Sequence, residues 1–245
     1  MVGQGFKKEG TQPMYEYVNK RELTLGREEV EAIIRGAQDI MKKRYNTTFQ
    51  YALVGSAKRH LVTKIKNGNK GYDYDYNLII QKSDQWNNPK NLKQQFMIAF
   101  SEAIKGTSYK PPEDSTSCIT IKLVDKNNSR IIRSCDFAII YYICEKKDDG
   151  YRYLKNWKNW KNERYSFEYR KNSKGAESSL DYILEHENGW NMIRGEYLKL
   201  KNCNKDINKK SFVLYLESIH NVCNNLSRRE KQIRYGPLRT EYRHI

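Results

Sequence analysis

The sequence predicts an α+β chain in which a mixed sheet with flanking helices is followed by a helical C-terminal half. Three observations carry that prediction. Apolar residues alternate with polar ones at 47–54, 72–80, 117–124 and 130–143, the period of a half-buried strand. Between those runs, apolar residues recur at helical spacing. Beyond residue 175 only the helical period remains.

Residues 1–22 are polar and read as a loosely held arm. From Arg27 a helix is expected, with Val30, Ile33, Ile34, Ala37, Ile40 and Met41 on one stripe. Thr47 to Val54 is the first strand, with Phe49, Tyr51 and Leu53 on one face. Ala57 to Val62 is expected to open a helix that Gly68 and Gly71 end. The strand after Gly71 carries Asp73 and Asp75 on one face and Tyr74, Tyr76 and Leu78 on the other. Pro89 suits the first turn of a helix, which Leu92, Phe96, Phe100 and Ile104 continue. Gly106 to Asp114 is a loop. Ser117–Val124 and Arg130–Ile143 are two strands joined by the turn Asp125–Ser129, and they should pair as a hairpin. On the second, Asp136 shares a face with Ser134, Ala138 and Ile140.

Residues 145–175 are rich in Lys, Arg, Trp and Tyr without clear periodicity. They place a boundary near 150, between an α/β domain (1–150) and a basic, aromatic connector with a helical domain (151–245). Three helices follow, marked by Leu180, Ile183 and Leu184, then by Trp190, Ile193, Tyr197 and Leu200. Phe212, Tyr215, Leu216, Ile219, Val222 and Leu226 mark the third.

The chain has 245 residues and a formal charge of +16. Such an excess of cations points to a polyanionic partner, although abundant Lys, Asn, Ile and Tyr also follow from AT-rich coding. It weighs against a cationic small molecule, such as an aminoglycoside, as the partner. Five cysteines without a CxxC pair read as reduced thiols of a cytoplasmic protein. No run has the length of a membrane span, and Met1–Gly10 lacks the apolar core of a signal peptide. The four histidines form no metal-ligand cluster.

The chemistry-bearing stretch is Leu53-Val54-Gly55-Ser56 together with Gly71-Tyr72-Asp73-Tyr74-Asp75. Carboxylates two apart on a strand project together and suit hard, oxygen-seeking cations. A Gly-Ser turn offers backbone N–H groups to phosphate. Taken singly, each feature has a plain structural reading: a solvated strand face, a turn, an acid paired with an Arg. Their order along the chain sets them apart.

That order resembles the nucleotidyltransferase superfamily, the fold of DNA polymerase beta and the oligoadenylate synthases: a Gly-Ser turn, Asp-x-Asp on the next strand, and a third Asp on a later strand. Gly55, Ser56, Asp73, Asp75 and Asp136 match. The stretch between Ser56 and Asp73 is longer than is usual for the family. The resemblance implies a palm-like sheet and transfer of NMP from an NTP to a hydroxyl. It also implies two Mg²⁺ or Mn²⁺ ions on Asp73, Asp75 and Asp136, and NTP phosphates at Gly55 and Ser56. Lys199 and Ser211 match the positions that reach the triphosphate in oligoadenylate-synthase-like and cyclic-oligonucleotide-synthase-like members; Ser211 also suits a helix N-cap.

Residues 151–170 interleave cations with rings, as single-stranded nucleic-acid sites do, although Trp157, Trp160, Tyr165 and Phe167 equally suit core anchors. With the charge, this makes RNA, a tRNA end included, the expected acceptor. The alternatives are a synthase joining nucleotides into oligonucleotide or cyclic messengers, and a non-catalytic nucleic-acid binder of the same fold.

Overall fold

The computed structural model describes residues 14–142, 150–158, 163–171, 176–206 and 208–235. The chain divides into two compact units, Met1–Asn172 and Ser173–Ile245.

The first unit is built on a seven-stranded sheet. Its strands run in the order β2 (Thr48–Val54), β4 (Tyr72–Lys82), β7 (Arg130–Tyr142), β6 (Ile119–Asp125) and β5 (Glu113–Asp114). β8 (Tyr151–Lys158) pairs with the far end of β7 and with β9 (Glu163–Arg170). β4 and β7 are parallel, and the other pairs are antiparallel. A parallel pair needs a crossover, and α3 (Pro89–Ala103) supplies it with β5 and β6. A separate ribbon joins β1 (Tyr15–Tyr17) to β3 (Thr63–Ile65).

α1 spans Lys20–Tyr45, longer than its apolar stripe implies, because the Asn19 side chain accepts from Arg21 N–H and caps it eight residues before Arg27. α1 and α3 cover one face of the sheet. There Tyr72, Tyr74, Tyr76 and Leu78 are at most 1% exposed. Each tyrosine hydroxyl finds a partner on α1: Tyr74 Oη donates to Leu23 O at 2.6 Å, Tyr72 to Glu22 O and Tyr76 to Glu31. Burial of a ring is favourable only when its hydroxyl is satisfied. Gly26 makes this close approach possible, since a Cβ there would lie 2.9 Å from the Tyr74 hydroxyl. Phe100 stacks on Phe137 at 4.4 Å, joining α3 to β7. Arg133, also on this face and buried, donates to Tyr109 Oη at 2.7 Å and pairs with Glu29.

Several expectations need correction. The helix after Ser56 is only a four-residue turn, α2 (Gly55–Lys58). His60 takes a left-handed φ of 54°, and the chain then buries Leu61 and Val62 and enters β3. The arm at 1–22 holds β1 and the start of α1; residues 1–13 lie outside the described residues. The aromatic stretch after 150 is the β8–β9 hairpin, in register from Tyr151↔Arg170 to Lys158↔Glu163. Its Leu154 and Asn156 are fully buried, whereas Trp157 is exposed. Trp160 lies outside the described residues. The hairpin extends the sheet, and the chain divides into its compact units between Asn172 and Ser173, past the residue-150 boundary.

The second unit holds α4 (Glu177–Leu184), α5 (Gly189–Cys203) and α6 (Ser211–Tyr235). Ile183, Ile193, Tyr197, Leu214, Tyr215, Ile219, Val222 and Leu226 are buried, but Phe212 and Leu216 face outward. Among the described residues Cys118, Cys135, Cys203 and Cys223 are free thiols, and no helix is long and apolar enough to cross a membrane.

Candidate functional site

The site is assembled by strand register. β4 and β7 pair so that Asp73 lies opposite Ser134 and Asp75 opposite Asp136. On the other side of β4, Val54 lies opposite Asp75, which brings the Gly55–Ser56 turn to the same place. Because the pleat alternates, the three acids share the face away from α1 and α3. The sequence thus brings together Gly55, Ser56, Asp73, Asp75 and Asp136.

Gly55 is required here on two counts. Its φ is +64°, a region other residues enter at a cost. A Cβ at this position would also overlap the Asp75 carboxylate, with Asp75 Cγ only 2.9 Å away. Arg59 fixes the turn by donating from Nη1 to Gly55 O at 2.6 Å.

Each acid is held differently. Ser134 Oγ donates to Asp73 Oδ1. Thr120 Oγ1 donates to Asp136 Oδ1 at 2.5 Å, and is itself bracketed by Ser115 Oγ at 3.0 Å and Cys118 Sγ at 3.7 Å. Burial pushes the Asp75 carboxyl up to about 6; the charges of Asp136 and Asp73 add to the effect, and Arg59 opposes it. Burial also raises Asp136, against the Thr120 hydrogen bond and with the Asp73 charge. These are three carboxylates that sense one another and lack enough positive charge.

That donor set fits divalent cations: hard oxygens with free lone pairs, electrostatically coupled and short of countercharge. Among the described residues, no three His, Cys, Asp or Glu side chains close into a ready cage.

Sequence reasoning missed three parts of this region. Thr120 gave no signal, because a β-branched residue in a strand is ordinary. Arg59 was visible only as a cation near the turn. Lys93 is 1% exposed on α3, bonded to Cys118 O at 2.9 Å and paired with Asp114 at 3.2 Å, directly behind the segment that leads to Thr120. A buried lysine cannot be told from a solvated one by spacing alone.

In the second unit, Lys199 is 70% exposed and pairs with Glu196 at 3.3 Å. Ser211 is the first residue of α6, and its Oγ accepts from Lys201 Nζ at 3.3 Å. Ser211 therefore meets Lys201 and not Lys199.

No family model and no curated protein matches this sequence. Solved structures do match. Vibrio cholerae DncV in its 3′-deoxy GTP bound form is similar over 88% of this chain and 71% of its own, with a TM-score of 0.57 and 11% identity. Escherichia coli DncV, also 3′-deoxy GTP bound, is similar over 89% and 71%, with a TM-score of 0.54 and 11% identity. The chain has their fold. It is the nucleotidyltransferase fold whose motif the sequence resembles. The Vibrio cholerae protein is a cyclic AMP-GMP synthase.

Proposed function

We propose that the protein is a divalent-metal-dependent nucleotidyltransferase that joins nucleotides to one another, making an oligonucleotide or cyclic product. The observation that carries this reading is the convergence of Asp73, Asp75 and Asp136 from paired strands beside the Gly55–Ser56 turn. The fold shared with DncV favours a nucleotide as acceptor over RNA. The +16 charge, which made RNA the first expectation, suits any polyphosphate.

In the reaction, an acceptor hydroxyl oxygen forms a bond to the α-phosphorus of an NTP. The bond from that phosphorus to the β-bridging oxygen breaks, and pyrophosphate leaves. Two bound Mg²⁺ or Mn²⁺ ions would stabilise charge on the attacking and leaving oxygens. Asp73 and Asp75 are the residues to hold both ions, and Asp136 completes the set. By the resemblance, Asp136, its carboxyl raised by burial, would take the proton of the hydroxyl. The Gly55 turn, where a left-handed residue precedes helical ones, would offer its backbone N–H groups to the phosphates. Thr120 and Ser134 orient two of the acids, leaving their other oxygens free. By the same resemblance, Lys199 and Ser211 are assigned to the triphosphate.

The test is to incubate the protein with each α-labelled NTP and Mg²⁺ or Mn²⁺, with and without total RNA. Small phosphatase-resistant products formed without RNA support the proposal. Label found only in RNA replaces the acceptor with RNA. An absence of transfer with every NTP, metal and acceptor refutes the enzyme.

A further inference from the structure

Register carries the acid face of the sheet beyond Asp136. Further along β7, Ile140, on the same face as Asp136, lies opposite Tyr153 of β8. Directly opposed residues share a face. Tyr153, Lys155 and Trp157 therefore stand on the side that bears the three aspartates, while Leu154 and Asn156 enter the core. β8 runs back toward the acids. Asn156 N–H donates to Thr116 O at 2.7 Å, and four residues later Thr120 bonds Asp136.

Trp157 is 43% exposed, yet it is fixed. Its Nε1–H donates to Ser166 Oγ at 3.0 Å, and Ser166 Oγ donates to Glu168 at 2.6 Å. Lys155 Nζ lies 3.2 Å from the centre of the indole ring. The ammonium covers one face of the held ring, so a base would stack on its remaining exposed surface, with the Lys155 charge at hand for the phosphate.

Position selects the occupant. In-line displacement puts the leaving pyrophosphate and the attacking hydroxyl on opposite sides of the α-phosphorus. The Gly55–Ser56 turn lies on the β2 side of β4, and the hairpin lies on the β7 side. The acceptor therefore approaches from the side of the hairpin.

We infer that the Lys155–Trp157 face of the β8–β9 hairpin holds the acceptor nucleotide, with its base stacked on Trp157 and its phosphate met by Lys155. This rests on the transfer reading above. GMP and AMP serve as probes, because each can accept a nucleotidyl group but cannot donate one. With labelled ATP as donor, Trp157→Ala should raise the KM for the monophosphate about tenfold, the effect of losing one ring–base stack, while the KM for ATP stays unchanged. Trp157→Phe should restore most of the loss, and Lys155→Ala should weaken acceptor binding without affecting the ring.

A second readout needs no turnover. In the Asp75→Asn protein, GMP or AMP should quench the fluorescence that Trp157→Phe removes. Unchanged acceptor KM in Trp157→Ala overturns the inference, as does quenching by an oligoribonucleotide alone. Quenching by GMP or AMP, with wild-type protein that transfers nothing under any condition, leaves the site standing and sinks the transfer reading instead.

Discussion

Replacing Asp75 by Asn should stabilise the metal-free protein. The carboxylate is charged at neutral pH against its surroundings: burial and two neighbouring acids push it up to about 6 from 3.8. Above pH 6 the folded protein carries this charge at a cost of about 3 kcal/mol, taken at about 1.4 kcal/mol per unit. Residual solvent contact at Asp75 screens roughly half of that, leaving about 1.5 kcal/mol. The sign follows from proton binding. Between pH 4 and 6 the native state holds a proton that the unfolded chain has released, so stability falls as pH rises through that window and then levels. Urea unfolding in EDTA should show the variant ahead by about 1.5 kcal/mol at pH 8, and level with wild type at pH 4. Added Mn²⁺ should raise the wild-type midpoint and leave the variant unmoved. A variant no more stable than wild type at pH 8, or a difference that ignores pH, would refute the claim that these acids crowd one another in the absence of a cation.

Thr120→Val removes the donor to Asp136; transfer and Mn²⁺-induced thermal stabilisation should both fall at least tenfold in apparent metal affinity, and Thr120→Ser should recover them. Gly55→Ala meets both a left-handed backbone and the Asp75 carboxylate; it should lose transfer and cost about 1–2 kcal/mol in chemical denaturation. Lys93→Met strips the cation from Asp114 in a buried pair; it should cost about 3 kcal/mol, and Asp114→Asn in the same chain should return part of it, as a double-mutant cycle would show. His186 donates from Nδ1 to Tyr182 O at 2.9 Å and, when protonated, from Nε2 to Glu230 at 3.0 Å. These bonds raise its pKa, so its contribution to α4–α6 is present at low pH and lost as pH rises through its titration. An NMR titration midpoint at or below 6.5, the ordinary histidine value, would contradict it.

The parts of this molecule legible in the sequence are those set by a period or by one chemically special residue. Asp73 and Asp75 announced a shared face because Tyr72, Tyr74 and Tyr76 occupy the other. Asp125 announced its turn and accepts from Asn127 and Asn128 N–H. Pro89 announced α3, which Asn88 caps. The β8–β9 hairpin was hidden because rings occupy both of its faces: Trp157 outward, and Tyr165 and Phe167 against the core. A period-2 signal needs one face to be polar. The short α2 turn was overread, since Ala57 to Val62 is apolar enough for a helix, yet Leu61 and Val62 are buried as an entry to β3. Lys199 and Lys201 are two residues apart on one helix, and only coordinates show which of them meets Ser211.

The parallel pairing of β4 with β7 also governs when the protein can first work. Asp75 meets Asp136 only after the chain has travelled out through a helix and back along a strand, and long-range pairing of this kind forms slowly. A ribosome-bound fragment ending before β7 has the Gly55–Ser56 turn and two acids but no third. The cluster of three acids therefore arises in one step, when β7 (Arg130–Tyr142) docks beside β4, and no shorter fragment holds it.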